Sequence, residues 1–97
     1  MFTAISPQKV KNSDGYIVQI ANRYSVEYSD DHYTVAIKVD FGVVIGLYKN
    51  TLVARNKSNF EVILNHTQYQ KILNRIVKGL EAMGSQVEQL YYSAYIY

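Results

Sequence analysis

At 97 residues, with 48% hydrophobic and 19% charged residues, the composition predicts one small folded domain over residues 1–97 and argues against a disordered chain. The chain has no cysteine, which excludes disulfides and thiolate metal centres. Net charge is only +2, yet residues 41–80 carry six basic side chains against Glu61 alone, whereas residues 1–40 carry four basic against five acidic. A phosphate-facing surface, if there is one, is therefore expected in the middle of the chain.

In chain order, Phe2 to Ile5 reads as a short strand that ends before Pro7, which has no N–H to give a ladder. Asn12-Ser13-Asp14-Gly15 is a turn, with Gly15 free to adopt positive φ. Tyr16 to Ala21 follows as a strand with Tyr16, Val18 and Ile20 on one face. Asn22-Arg23 is the predicted two-residue turn, and Tyr24, Val26 and Tyr28 then alternate with polar residues as a half-buried strand.

Ser29-Asp30-Asp31-His32 is a polar turn. Tyr33 to Phe41 is the strongest strand: Tyr33, Val35, Ile37, Val39 and Phe41 share one face, and Thr34, Ala36, Lys38 and Asp40 the other. The chain bends at Gly42, returns from Val43 to Tyr48 and turns at Lys49-Asn50. A short strand from Thr51 to Ala54 leads to the basic loop Arg55 to Asn59. Phe60, Val62 and Leu64 alternate with Glu61 and Ile63 as a last strand before the helix.

The longest periodic stretch lies between Leu64 and Gly84. Tyr69, Ile72, Leu73, Ile76, Val77, Leu80 and Met83 recur in steps of three and four and predict one amphipathic helix over about 66–83. Asn65 and Gln68 have the spacing of a capping box, and Gly84 stands where a left-handed residue ends a helix. Lys71 and Arg75 fall off the stripe and are expected to face solvent. Gly79 lies beside the stripe, where the absence of a side chain permits close approach of a sheet or of another helix, and it is an interface candidate. From Gln86 to Tyr97 large apolar groups stand on both alternating faces, which predicts a terminal strand whose tyrosines Tyr91, Tyr92, Tyr95 and Tyr97 cover a partner or a second copy, the alternative being a central strand covered on both faces within the monomer. The predicted fold class is α+β, an antiparallel β-meander of about five to seven strands packed by this helix and followed by a C-terminal strand.

No catalytic pattern is evident. His32 and His66 are far apart and have no ligand at metal spacing, and Asp30-Asp31 belongs to a solvated turn. Asp40-Phe41-Gly42 matches the magnesium triplet of kinases, but a chain of this length has no room for that fold. A binding protein rather than an enzyme is expected, with no cofactor and no metal. No run approaches the roughly 18 apolar residues of a membrane span, so a cytoplasmic protein is the expectation.

From Tyr33 onward the order of motifs resembles the single-stranded-DNA-binding domain of the transcriptional positive-cofactor-four family. Tyr33-Thr34-Val35, Phe41-Gly42, the return strand Val43 to Tyr48, the basic run Arg55 to Asn59, Val62-Ile63-Leu64-Asn65 and Gln68-Tyr69 stand in that family's order over residues 33–80. Tyr69 replaces the family's tryptophan, and its Lys-Gly pair before the last strand is missing. The resemblance implies a dimeric module whose sheet binds single strands, with Lys38, Tyr48, Lys49, Arg55 and Lys57 as candidate nucleic-acid contacts. A second likeness, in Gly15-Tyr16-Ile17 and in the helix from Ile72 to Gly84 followed by a strand, is to small immunity proteins of bacterial contact-dependent toxin systems. It implies an antitoxin, or a phage-encoded inhibitor, that masks one protein partner. Single-stranded nucleic acid is the first expectation for the partner, one protein the second.

Overall fold

The computed structural model describes residues 1–93, so Tyr95 and Tyr97 lie outside the described residues. Among the described residues the fold is α+β: nine strands form a curled, mostly antiparallel half-barrel, and one α-helix packs its apolar face against it. The strands are β1 (Phe2–Ser6), β2 (Lys9–Asn12), β3 (Ile17–Asn22), β4 (Ser25–Ser29), β5 (Thr34–Asp40), β6 (Val44–Tyr48), β7 (Val53–Arg55), β8 (Glu61–Val62) and β9 (Gln86–Leu90), with α1 (His66–Ala82) between β8 and β9. The main path runs β1-β2-β3-β4-β5-β6-β9, and β7 and β8 branch from β5.

Eight of the nine strands fall on stretches read as strands from the sequence, β8 keeping only Glu61–Val62 of the predicted Phe60–Leu64 strand. The additional one is β2, Lys9–Asn12, whose four residues are too few for alternation to stand out from chance. The turn between β3 and β4 also sits one residue later than predicted. Asn22 ends β3 opposite Ser25, its Oδ1 accepts from the Tyr24 amide at 2.8 Å, and Arg23-Tyr24 becomes the turn. Tyr24 therefore leaves the strand face and is 68% exposed.

The alternation along β5 is the clearest link from sequence to packing. Val35, Ile37 and Val39 are buried, and Thr34, Ala36, Lys38 and Asp40 are exposed. The buried face joins Val10, Tyr16, Val18, Val26, Tyr28, Ile45, Leu47 and Ala54 in one core against Ile72, Leu73, Ile76 and Leu80 of the helix. Both helix ends follow the predicted chemistry. Asn65 Oδ1 accepts from the Gln68 amide at 2.8 Å, while Gln68 Oε1 accepts from the Asn65 amide at 3.2 Å. At the other end Gly84 takes φ 94°, and the amides of Gly84 and Ser85 donate to Glu81 O and Leu80 O. That is a Schellman motif, satisfying carbonyls the helix leaves unpaired.

β9 pairs with β6 in parallel, Val44 against Gln86 through Tyr48 against Leu90. The helix makes this possible: its 17 residues carry the chain back about 25 Å at 1.5 Å per residue, so β9 starts beside the start of β6. Of the two elements Gly79 could let approach, the one it meets is the sheet. It is buried against β3, where a Cβ on it would lie 2.5 Å from Val18 Cγ2, so its closeness serves helix-on-sheet packing within the monomer.

Arg75 is not the free surface charge its position predicts. Its guanidinium lies 4.5 Å from the Tyr16 ring centroid, Nη1 donates to Tyr28 Oη at 3.0 Å, and Asp30 Oδ2 is 3.9 Å away. Tyr28 Oη in turn donates to Asp30 Oδ2, and the amides of His32 and Tyr33 donate to Asp30 Oδ1 at 2.7 and 2.8 Å. Burial, with the Asp30 carboxylate beside it, raises the Tyr28 phenol far above its ordinary range and keeps it a donor. Burial alone would raise Asp30, but the Tyr28 hydroxyl and the two amides outweigh it and hold the carboxyl below its usual value.

A carboxyl lowered in the folded state adds stability above the unfolded pKa near 3.9, and that contribution is lost as pH falls through the folded value. Asp30→Asn is therefore expected to flatten the fall in stability on acidification in urea titrations between neutral and about pH 3. In the same assay at neutral pH, Arg75→Ala is expected to cost about 2 kcal/mol, reduced from a fully buried pair by its partial exposure. Arg75→Lys should recover little, because an ammonium cannot stack on Tyr16 and reach Tyr28 together.

Candidate nucleic-acid interface

The sheet forks at Lys38, and the fork builds the site. The second half of β5 pairs with β6, Val39 against Leu47 and Asp40 against Gly46. Its first half pairs with β7, Thr34 against Arg55 and Ala36 against Val53. Lys38 lies between the two partners, and a 3₁₀ turn over Lys49–Thr51 fills the gap. The Lys38 amide donates to Thr51 Oγ1 at 2.9 Å, and that hydroxyl donates to Tyr48 O at 2.7 Å. One threonine thus supplies the missing ladder bond and ties Lys38 to the end of β6.

The chain leaving β9 is pinned over the same fork. Asn50 acts as a side-chain copy of a strand partner: its Oδ1 accepts from the Tyr92 amide at 2.7 Å, and its Nδ2 donates to Tyr92 O at 2.9 Å. The Tyr92 ring then meets Tyr48 edge-on, with centroids 5.3 Å apart, and Lys38 Nζ lies 4.8 Å from the Tyr92 centroid. Lys49 Nζ lies 4.9 Å from the Tyr91 centroid, itself 73% exposed. Beneath Lys49, Tyr69 Oη of the helix donates to Lys49 O at 2.6 Å. Burial, reinforced by Tyr91, raises the Tyr69 phenol and keeps it protonated for that bond.

Tyr24, from the β3–β4 turn, closes the rim. A cavity of about 290 Å³ lies between Tyr24, Lys38, Val39, Asp40, Tyr48 and Tyr92. That is smaller than an enclosed small-molecule site, which runs from about 300 Å³ upward. Arg23 contributes a further cation, 5.9 Å from the Tyr24 ring. The patch thus presents Tyr24, Tyr91 and Tyr92 with Arg23, Lys38 and Lys49 around a shallow hollow, and Asp40 is its acidic member.

Of the residues predicted from sequence, Lys38, Tyr48, Lys49, Tyr91 and Tyr92 come together here. Arg55 and Lys57 do not. Arg55 shares the outer face of the sheet with Lys38 but sits opposite Thr34, roughly 13 Å further along β5 at about 3.3 Å per residue. Its Nη1 donates to Asn59 O at 3.4 Å, across the β7–β8 hairpin that carries exposed Lys57. Asn56 shapes that hairpin, its Oδ1 accepting from the amides of Ser58 and Phe60, each at 3.0 Å. Tyr24, Arg23 and Asn50 were not predicted. Asn50 meets Tyr92 across 42 residues, a separation at which no local pattern gives a signal. Among the described residues, no helix is long and apolar enough to cross a membrane. Comparison of the chain with protein-family models, curated proteins and solved structures gives no match of any of the three kinds.

Proposed function

We propose that this protein is a binding module for single-stranded nucleic acid, and that the strand lies across the fork of the sheet. The observation that carries the proposal is the meeting of Lys38, Lys49, Tyr48, Tyr91 and Tyr92 from β5, β6, the 3₁₀ turn and the segment after β9. Lysines beside exposed tyrosine faces are what sequence-tolerant recognition of single strands uses: cations for phosphates and π-faces for bases. Arg55, on the same outer face, and Lys57, in the adjoining hairpin, would give a second group of phosphate contacts further along β5. The order of motifs over residues 33–80 supports the same reading.

The test is a fluorescence-anisotropy titration of a short oligothymidine at two salt concentrations. Lys38→Ala and Lys49→Ala should each weaken binding and lower the salt slope by roughly 0.7. Tyr92→Ala and Tyr91→Ala should weaken it with the slope unchanged, because stacking releases no counterions. Lys71→Ala and Lys78→Ala, on the far side of the helix, should behave as wild type. Absence of binding by the wild type at low salt rejects the proposal.

A second reading, that the protein masks one protein partner, rests on a different surface. Phe60 is 69% and Ile63 100% exposed beside a cavity of about 400 Å³ lined by Leu52, Val53, Val62, Ile63 and Leu64. Large exposed apolar side chains in such a group are typical of protein interfaces. An Ile63→Glu change that leaves oligonucleotide binding intact but abolishes partner capture would favour it.

A further inference from the structure

β1 is an outer edge of the sheet, paired only with β2 among the described residues. Proteins normally blunt such an edge with charged side chains, proline or inward charge. Here no charged side chain occurs from Met1 to Gln8, Pro7 falls after the strand, and Thr3, Ala4, Ile5 and Ser6 are all exposed. The opposite edge is different: β9 carries Glu88 and is continued by the pinned Tyr91–Tyr92 segment.

The register shows which backbone groups are free. The Ser13 amide donates to Met1 O at 2.9 Å, so residues 1 and 13 form a hydrogen-bonded pair. Antiparallel ladders alternate, so Thr3 bonds to Lys11, whereas Phe2 and Ala4, opposite Asn12 and Val10, turn their N–H and C=O groups outward. Beyond Ala4 the register shifts, which limits the usable edge to this short run.

We propose that two copies of the chain associate through β1, antiparallel about a two-fold axis beside Thr3. Phe2 of each copy then lies opposite Ala4 of the other, and the two pairs exchange four backbone hydrogen bonds using the outward groups. Thr3 meets Thr3 across the axis, a favourable cross-strand pair. A second copy is the occupant this edge fits because its donors and acceptors are self-complementary under the two-fold. The edge has no charged side chain, and the Met1 ammonium, which donates to Ser13 Oγ at 3.2 Å, falls opposite Ile5 of the other copy, so no like charges stand face to face. The contact area is small, so the dimer is weak and forms at high micromolar concentration. This inference is independent of the nucleic-acid reading, since β1 and the fork lie four strands apart.

The experiment is sedimentation of the full chain over roughly ten to several hundred micromolar. The mass is expected to rise from 11.1 kDa towards twice that value, with little dependence on salt. Ala4→Pro removes an outward N–H and leaves the β1–β2 ladder intact, so it should stay monomeric with wild-type melting. Thr3→Lys, which sets two cations against each other at the axis, should also stay monomeric and guards against misfolding of the proline variant. A wild type that is monomeric throughout overturns the proposal. So does assembly beyond the dimer, or association that survives both substitutions. Oligonucleotide affinity per chain should be the same in both variants, so loss of dimerisation and loss of binding are told apart.

Discussion

Gly79→Ala is expected to destabilise the protein by about 2–3 kcal/mol, although the same change at an exposed helix position would stabilise it by about 1 kcal/mol. The sign is set by β3. A Cβ at position 79 would stand 2.5 Å from Val18 Cγ2 and 2.6 Å from Val18 Cβ, and Val18 is fully buried. The closest atoms include the branch point of a stiff side chain rather than a flexible tip, so no rotamer change relieves the overlap. Helix and sheet must separate instead, which loosens contacts along the whole interface. Val18→Ala should rescue only part of the loss, because its Cβ remains. Urea denaturation of the two single variants and the double variant measures this directly. A stabilised Gly79→Ala would mean that the helix does not pack on β3 as described.

Ile76→Ala is expected to cost about 3–4 kcal/mol, the largest loss from a single truncation on the helix. Ile76 is fully buried, and Leu73 and Leu80 flank it on the same stripe with little or no exposure. Neighbours on both the helix and the sheet are themselves close-packed, so the cavity left by three carbons cannot collapse. Lys71→Ala and Lys78→Ala, both exposed, should each change stability by less than about 0.5 kcal/mol. Comparable losses for Ile76 and the two lysines in the same titration would mean that the helix presents another face to the core.

Periodicity along the chain determined a good deal. The helix from His66 to Ala82, its capping box, its glycine terminus and the inward face of β5 all follow from spacings within a few residues. Those spacings suffice because local sterics and hydrogen bonding decide such features, and burial merely selects a face already apolar. The short strand β2 lay below that limit, since four residues carry too little alternation to read, and β8 keeps only two residues of the strand that the alternation from Phe60 to Leu64 predicted.

Tertiary structure alone decided where the charges and rings went. Arg75 has the helical spacing of a solvent-facing residue, yet Tyr16, Tyr28 and Asp30 gather around it from the residue before β3, from β4 and from the loop after β4. Gly79 could have faced another chain, and the packing of α1 on β3 set it against Val18. Lys38 and Tyr92 are 54 positions apart and meet only because the helix returns the chain parallel to β6 and Asn50 then holds the segment beyond β9. The sequence by itself could identify basic and aromatic residues as candidates, because composition and alternation are local. Which of them converge depends on how β5 forks and on where β9 docks, and both are settled by contacts between segments too far apart to leave a periodic trace.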